Sequence, residues 1–314
     1  MKTAATIFAI GNVNVDLVMG PVVPWPRAGT ESILPHSELR VGGAVGNTGL
    51  ALQAMGARCR LICNRGDDIF GRWLAEAFGA AARDWPVSTS PTTVSVCLAH
   101  PNGERTFLTS EGHLSAMGAA DAIALLPKRA SKGDVALLCG GFVSPRLIEG
   151  YEALLAALGD RGFEIALDTG WPSGGWSKKQ RRRVTGWLAA CDHVLLNEIE
   201  SCGLSAEAEV AAAARWIAER AKPGAVVVVK RGPLGASVWL GGKLVNVPAP
   251  KVTVVDTVGA GDVFNAGYLQ AHLERQACRA AVAAGVGLAS AVIATSPRHY
   301  APPAAPRRRA GAKA

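Results

Sequence analysis

The chain has 314 residues, 49% hydrophobic and 18% charged, with a formal net charge of +8. This composition supports a globular protein with a sizeable core and excludes a disordered chain. No apolar run reaches the roughly 18 residues that a membrane span needs. Five of the positive charges (Arg298, Arg307, Arg308, Arg309, Lys313) sit in a Pro/Ala-rich C-terminal stretch, which leaves +3 elsewhere. Neither this stretch nor the basic run from Lys178 to Arg183 is interleaved with aromatics, so no nucleic-acid partner is expected.

In chain order, short apolar segments alternate with helix-like ones. Ile7 to Ile10 reads as a buried strand. The apolar run around it breaks into Asn and Asp without a cleavage pattern, so it is a weak signal-peptide candidate. Ile33 to Arg40 is strand-like, Gly46 to Met55 helical, Arg60 to Cys63 a strand and Ile69 to Phe78 a helix. Val94 to His100 and Glu104 to Thr109 form a hairpin pattern around Pro101-Asn102-Gly103.

The alternation resumes with strands at Val135 to Cys139, Glu164 to Leu167, His193 to Leu196 and Val226 to Lys230. Between them lie helix-like segments at Leu147 to Leu158, Val184 to Ala190 and Ala208 to Ala221. Val263 to Leu273 and Cys278 to Thr295 are the last, Ala- and Gly-rich helices. From Ser296 onward Pro and Arg dominate and a frayed tail is expected, with 301–314 a basic disordered tail.

This order predicts an α/β fold: a central, mostly parallel sheet flanked by helices, with ligands bound beyond the carboxyl ends of the strands. On that reading Asp16 follows strand one, Asn197 follows the His193 strand and Gly232 follows the Val226 strand. The strand-like stretches within about 12–42 and 88–113 cannot easily join the main sheet. They are expected to form a small β lid on a domain spanning 1–300. The seven cysteines form no CxxC pair and several lie in apolar runs, which suggests reduced thiols in a cytoplasmic protein. The six histidines show no HxxxH or HExxH spacing, hence no zinc signature.

The chemistry concentrates in two glycine-rich turns. Asp256 to Asn265 reads DTVGAGDVFN, a turn at Gly259-Ala260-Gly261 running into Asp262 and a helix. Such a turn aims several backbone N–H groups, at the positive end of a helix dipole, into one small volume suited to a phosphate. Asp262 then sits where an acid makes sense as the acceptor of a proton from an attacking hydroxyl. An ordinary N-cap Asp is the competing structural reading. Val41 to Gly56 holds the second turn, with Gly42, Gly43 and then Asn47 on a helix. There is no GxxxxGK[ST], so a P-loop kinase is excluded, and no GxGxxG follows the first strand to support a Rossmann oxidoreductase.

Together the two segments resemble the two signatures of the ribokinase-like, or PfkB, family of carbohydrate kinases. The late form DTxGAGDxF is matched by Asp256, Thr257, Gly259, Ala260, Gly261, Asp262 and Phe264, and the early, looser one by Gly42, Gly43 and Asn47. Further landmarks follow the family's order: Gly11 to Asp16, then Gly66-Asp67-Asp68-Ile69-Phe70-Gly71 resembling GxDxFG, Asn197 to Glu200 resembling NxxE, and Val226 to Gly235.

The resemblance implies an ATP-dependent kinase acting on a primary hydroxyl of a small sugar. Asp262 would be the general base and the Gly259–Asp262 turn the anion hole. It assigns Asp16, Gly42, Gly43 and Asn47 to the substrate. Asn197, Glu200, Lys230, Gly232 and Gly235 would border the nucleotide, with Glu200 holding Mg²⁺ through water and Asp256 a monovalent cation such as K⁺. A homodimer through the lid is a further implication. A nucleoside kinase of the same family, with an adenosine- or inosine-like substrate, is the nearest alternative. A catalytically silent sugar-binding protein is a different class, and the intact GAGD counts against it.

One departure stands out. Where many sugar kinases of the family carry DxNxRxxLW, Asp168 to Trp176 reads DTGWPSGGW, without the Arg. Trp25 and Trp171 are candidates to stack on a sugar or purine face, against a plain packing role.

Overall fold

The computed structural model describes residues 5–101 and 105–300. The expected basic tail 301–314 and the hairpin tip at Asn102 and Gly103 lie outside the described residues. In chain order the strands are β1 (Ile7–Gly11), β2 (Asn14–Gly20), β3 (His36–Gly42), β4 (Cys59–Ile62), β5 (Arg65–Gly66), β6 (Val87–Ser88), β7 (Val94–Ala99), β8 (Arg105–Thr109), β9 (Val135–Cys139), β10 (Glu164–Asp168), β11 (His193–Asn197), β12 (Val226–Lys230), β13 (Ala236–Leu240) and β14 (Lys243–Val247). The α-helices are α1 (Ala44–Ala54), α2 (Ile69–Phe78), α3 (Ala119–Leu125), α4 (Pro145–Glu149), α5 (Tyr151–Asp160), α6 (Lys178–Leu188), α7 (Glu198–Ser205), α8 (Val210–Ala218), α9 (Ala260–Leu273) and α10 (Cys278–Val292).

The main sheet runs β14-β13-β12-β11-β10-β9-β1-β4. Pairing is parallel from β4 through β12 and antiparallel from β12 to β14. Its central strands are continuous apolar runs because both faces are covered. Alternate side chains of β1 feed separate layers. Ile7 and Ala9 pack into the core with α1, α2, α9 and α10, while Phe8 and Ile10 pack with the helices from α3 to α8. A second sheet, β3-β2-β7-β8, stands apart from the first.

Three sequence expectations change. Asp16 does not end a main-sheet strand. The chain leaves β1 at Gly11, turns through Asn12 and Val13, and places Asp16 inside β2 of the small sheet. The helix expected over Leu147 to Leu158 is broken at Gly150 into α4 and α5, where a Cβ would lie 2.5 Å from that of Ala119. The fraying expected from Ser296 does not hold for 296–300, because Arg298 and Tyr300 bond back onto Asp256 and Asn47. The GxDxFG-like stretch is architectural. Asp68 caps α2 through Gly71 N–H and also accepts from the backbone and hydroxyl of Thr92, tying the helix to the strand β7 that follows.

Helices α9 and α10 pack through small residues. A Cβ on Gly285 would lie 2.8 Å from the Phe264 carbonyl oxygen and 2.9 Å from its ring, whereas at Gly287 it would meet nothing within 4 Å. Gly287→Ala should therefore stabilise by up to about 1 kcal/mol through helix propensity. Gly285→Ala should lose more than it gains, since overpacking costs about 1–3 kcal/mol. Thermal unfolding of the pair should show opposite shifts in Tm, and shifts of the same sign would contradict this packing.

Candidate active site

The helices that open after the two glycine-rich turns meet at their N-termini. Gly43 (φ +83°) precedes α1, and Gly259 (φ +72°) precedes α9. A Cβ at Gly259 would lie 2.7 Å from Asn47, so the left-handed glycine is also a close approach. Asn47 Nδ2 donates to Asp262 Oδ2 at 3.0 Å, and Thr48 Oγ1 donates to the Asp262 carbonyl at 3.1 Å. The early and late signatures therefore form one site. Ala260 N–H donates to the Thr257 carbonyl at 3.1 Å, and the amides of Gly261 and Asp262 lie in the first turn of α9, where a helix leaves its N–H groups without an intrahelical partner.

Beneath this turn lies a charge cluster. Lys230 Nζ at the end of β12 donates to Asp168 Oδ2 at 2.7 Å, and Asn265 Nδ2 donates to the same oxygen at 2.6 Å. A Cβ on Gly261 would lie 3.2 Å from Lys230 Nζ. Burial alone would lower the Lys230 pKa, but the Asp168 and Glu200 charges hold it above its usual value, so it stays protonated. Asp262 is partly exposed. Desolvation, then the neighbouring Asp168, pushes its carboxyl well above the usual range against Lys230 and Asn47.

On the other side, a polar ladder leads to Asp16. Asn12 Nδ2 donates to Asn14 Oδ1 at 2.9 Å, and Asn14 Nδ2 donates to Asp16 Oδ1 at 2.8 Å. A Cβ on Gly42 would lie 2.1 Å from the Asp16 carboxylate, so only glycine leaves room for it. Burial raises the Asp16 pKa to about 6, opposed by Arg40, its cross-strand neighbour, and by Asn14.

Asn197 and Glu200 form a reciprocal capping box at the start of α7. Asn197 Oδ1 accepts from Glu200 N–H at 2.8 Å and Glu200 Oε2 from Asn197 N–H at 2.9 Å. Asn197 is also in register with Lys230 across β11 and β12. Burial, then the Asp168 charge, raises the Glu200 pKa to about 7. Gly232 and Gly235 shape the turn between β12 and β13. A Cβ on Gly235 would collide with the Val247 carbonyl, whereas one on Gly232 would meet nothing within 4 Å.

Asp256 departs from expectation. Its carboxylate pairs with Arg40 at 2.5 Å, Arg298 at 2.6 Å and Arg105 at 2.8 Å. Burial raises its pKa, but Val258 N–H and the Arg298 and Arg40 charges hold it below the usual value. A monovalent cation on this carboxylate would compete with three guanidinium groups for the same oxygens. Arg40 and Arg105 come from the small sheet and Arg298 from the C-terminal segment, so Asp256 ties both to the α9 turn. Tyr300 Oη donates to Asn47 Oδ1 at 3.2 Å.

Sequence reasoning missed Asp168, Arg40, Arg105, Arg298 and Tyr300 as site residues. Only Asp168, at the end of an apolar strand and the first residue of the altered DxNxRxxLW segment, carried a local signal. Trp25 stacks on His100 with centroids 5.7 Å apart, and Trp171 meets Trp176 edge-on at 6.4 Å.

The sequence profile of the pfkB family carbohydrate kinases matches residues 4–301. The chain belongs to this family. It is a carbohydrate kinase, a phosphotransferase acting on a sugar hydroxyl. It is 32% identical over 247 residues to a fructokinase of Rhizobium leguminosarum bv. trifolii, covering 73% of this chain and 70% of that one. The bifunctional protein HldE of Rhodopseudomonas palustris is 28% identical over 285 residues, and the match spans 83% of this chain but only 54% of HldE. The fold is ribokinase-like. A putative ribokinase II from E. coli, solved with ATP and Mg²⁺, superposes with a TM-score of 0.78 at 19% identity over 93% of each chain. Arabidopsis thaliana ribokinase complexed with ribose and ATP gives a TM-score of 0.72 at 20% identity, again over 93% of each chain.

If Asp256 fastens the small sheet, Asp256→Ala should release it. Backbone amide exchange should then accelerate in β3 and β8, which carry Arg40 and Arg105, with little change in β9 to β11. Unchanged exchange in β3 and β8 would refute the fastening role.

Proposed function

We propose that this kinase transfers the γ-phosphoryl group of ATP to a primary hydroxyl of a small sugar, with Asp262 as the general base. The observation that carries the reading is the Asn47–Asp262 bond, which sets one carboxylate between the anion-accepting start of α9 and the glycine turn beside Asp16. The fructokinase relative and the ribokinase neighbour solved with ribose support a sugar acceptor, and the neighbour solved with ATP and Mg²⁺ supports the donor.

The site chemistry suits that donor. ATP with Mg²⁺ supplies the phosphoryl group and spreads its charge. Lys230 and the first-turn amides of Gly261 and Asp262 are the cationic and dipolar groups that would meet phosphate oxygens. Asn197 and Glu200 flank them, with Glu200 acting on the metal through water because its Oε2 is already committed to the capping box. Asp16, Asn47 and the backbone at Gly42 and Gly43 would hold and orient acceptor hydroxyls, Asp16 accepting and Asn47 donating or accepting. The aligned hydroxyl gives its proton to Asp262, whose raised pKa makes it a stronger base than an exposed Asp. The small sheet acts as a lid that excludes water.

Asp262→Asn should lower kcat about 10²–10⁴-fold while nucleotide binding persists, because an amide keeps the shape and cannot take the proton. Near-normal kcat would remove Asp262 from the role of base. The sign of the pH effect follows from the raised pKa. The ionised base is present above it and lost below it, so kcat/KM should fall with acidification through a limb well above the ordinary Asp value of about 3.9. A limb at or below that value would contradict the environment described for Asp262. A panel of sugars and nucleosides with ATP and Mg²⁺, read by ADP release, tests the acceptor. Preference for a nucleoside would favour the nucleoside-kinase reading.

A further inference from the structure

At the end of the main sheet away from Asp262, three side chains with metal-binding atoms converge. Glu164 opens β10, His193 opens β11 and His272 lies in the last turn of α9. Their ligand atoms all lie within 4.8 Å of one another. His272 Nε2 is 2.8 Å and His193 Nε2 3.6 Å from the same carboxylate oxygen, Glu164 Oε2. The two imidazole centroids are 4.5 Å apart. A tetrahedral ion with bonds of about 2.0–2.1 Å holds its ligand atoms about 3.3 Å apart. The observed spacings straddle that value, and the half-exposed Glu164 and His272 have room to adjust.

His193 supplies a second, independent observation. Its side chain is 4% exposed, and its Nε2 is buried without a hydrogen-bond partner. Buried ring nitrogens are normally satisfied, and 3.6 Å is too long for a hydrogen bond to Glu164. Its other nitrogen, Nδ1, lies 2.8 Å from Tyr268 Oη. That contact holds the ring with Nε2 turned toward Glu164, as an outer partner does for a metal-bound histidine. Glu164 also borders a groove of about 740 Å³ whose rim includes Glu152, Asp160 and Asp192 against Lys222, an acidic approach for a cation.

We infer that Glu164, His193 and His272 form a binding site for a divalent transition-metal cation of the Zn²⁺ type, with a further coordination position open to water. Two imidazoles and one carboxylate suit such an ion and not Mg²⁺, which prefers oxygen ligands in an octahedron. The site is separate from the nucleotide site but shares its scaffold. Each ligand stands at the far end of an element whose other end serves phosphoryl transfer: Glu164 opposite Asp168 on β10, His193 opposite Asn197 on β11, and His272 opposite Asp262 on α9. The separation is about 13 Å along the strands and about 15 Å along the helix. A bound ion would cross-link the three elements and stabilise the folded chain by mass action.

The test uses tag-free full-length protein titrated with Co²⁺ as a spectroscopic probe and with Zn²⁺ in thermal unfolding. The site predicts saturable Co²⁺ binding with visible d–d bands and no thiolate charge-transfer band, displacement by Zn²⁺, and a rise in Tm with Zn²⁺. His272→Gln and Glu164→Gln sit at partly exposed positions where the fold should persist, as circular dichroism would check. Each should weaken Co²⁺ binding by at least about tenfold, while turnover with ATP and Mg²⁺ in the absence of Zn²⁺ stays near wild type. Absence of saturable binding, a thiolate band that places the ion on cysteine, or unchanged affinity in both variants would each overturn the site.

Discussion

The side-chain amide of Asn47 bonded to the carboxylate of Asp262 is the contact on which the working end of this kinase depends. It joins residues 215 positions apart and brings two helix N-termini together. Helix starts repel one another through their dipoles unless an anion lies between them. Asp262 supplies that negative charge in the protein itself. An electrostatic conflict between α1 and α9 thereby becomes a stable junction with room for a further anion. The glycine before α9 follows from the same constraint, since any side chain at Gly259 would collide with Asn47.

Around the junction the charges are arranged in two blocks. Below it, Lys230 answers Asp168, Glu200 and Asp262, and burial, then the Asp168 charge, raises the proton affinity of Glu200 and Asp262. Above it, Asp256 answers three arginines, a carboxylate outnumbered by cations. The first block surrounds Asp262, the base proposed above, and the second ties the small sheet to the C-terminal segment. Opposite imbalances at neighbouring positions serve opposite ends, one chemical and one mechanical.

Much of the frame was legible in the sequence for a simple reason. Strands such as Val135–Cys139 and Val226–Lys230 are buried on both faces, so they read as unbroken apolar runs, and the GxDxFG-like stretch marked the start of α2. The glycine turns were equally plain, because few sequences other than a tight helix entry need GAGD. What stayed hidden depends on distant partners. Nothing local sets Arg298 apart from its Pro- and Arg-rich surroundings, yet its partner is 42 positions away. Asp16 looked like the end of a strand because the break at Asn12 and Val13 is too short to see in hydropathy. The β13–β14 hairpin was passed over because the outer strand is largely exposed and lacks a buried run. His272 and Glu164, 108 positions apart, show no spacing that a sequence pattern could catch.

The return of the C-terminal segment has a consequence for how the protein comes into being. Tyr300 reaches Asn47 across 253 positions, and Arg298 joins Asp256, which also holds Arg40 and Arg105 of the small sheet. A chain made from its N-terminus can form β1, β2 and α1 early, but those elements wait for nearly all of the remaining sequence before their charges are answered. Such long-range closure is slow relative to local folding and comes late. The polar site and the core that β1 shares with α9 and α10 are thus closed together, by the last segments of the described chain.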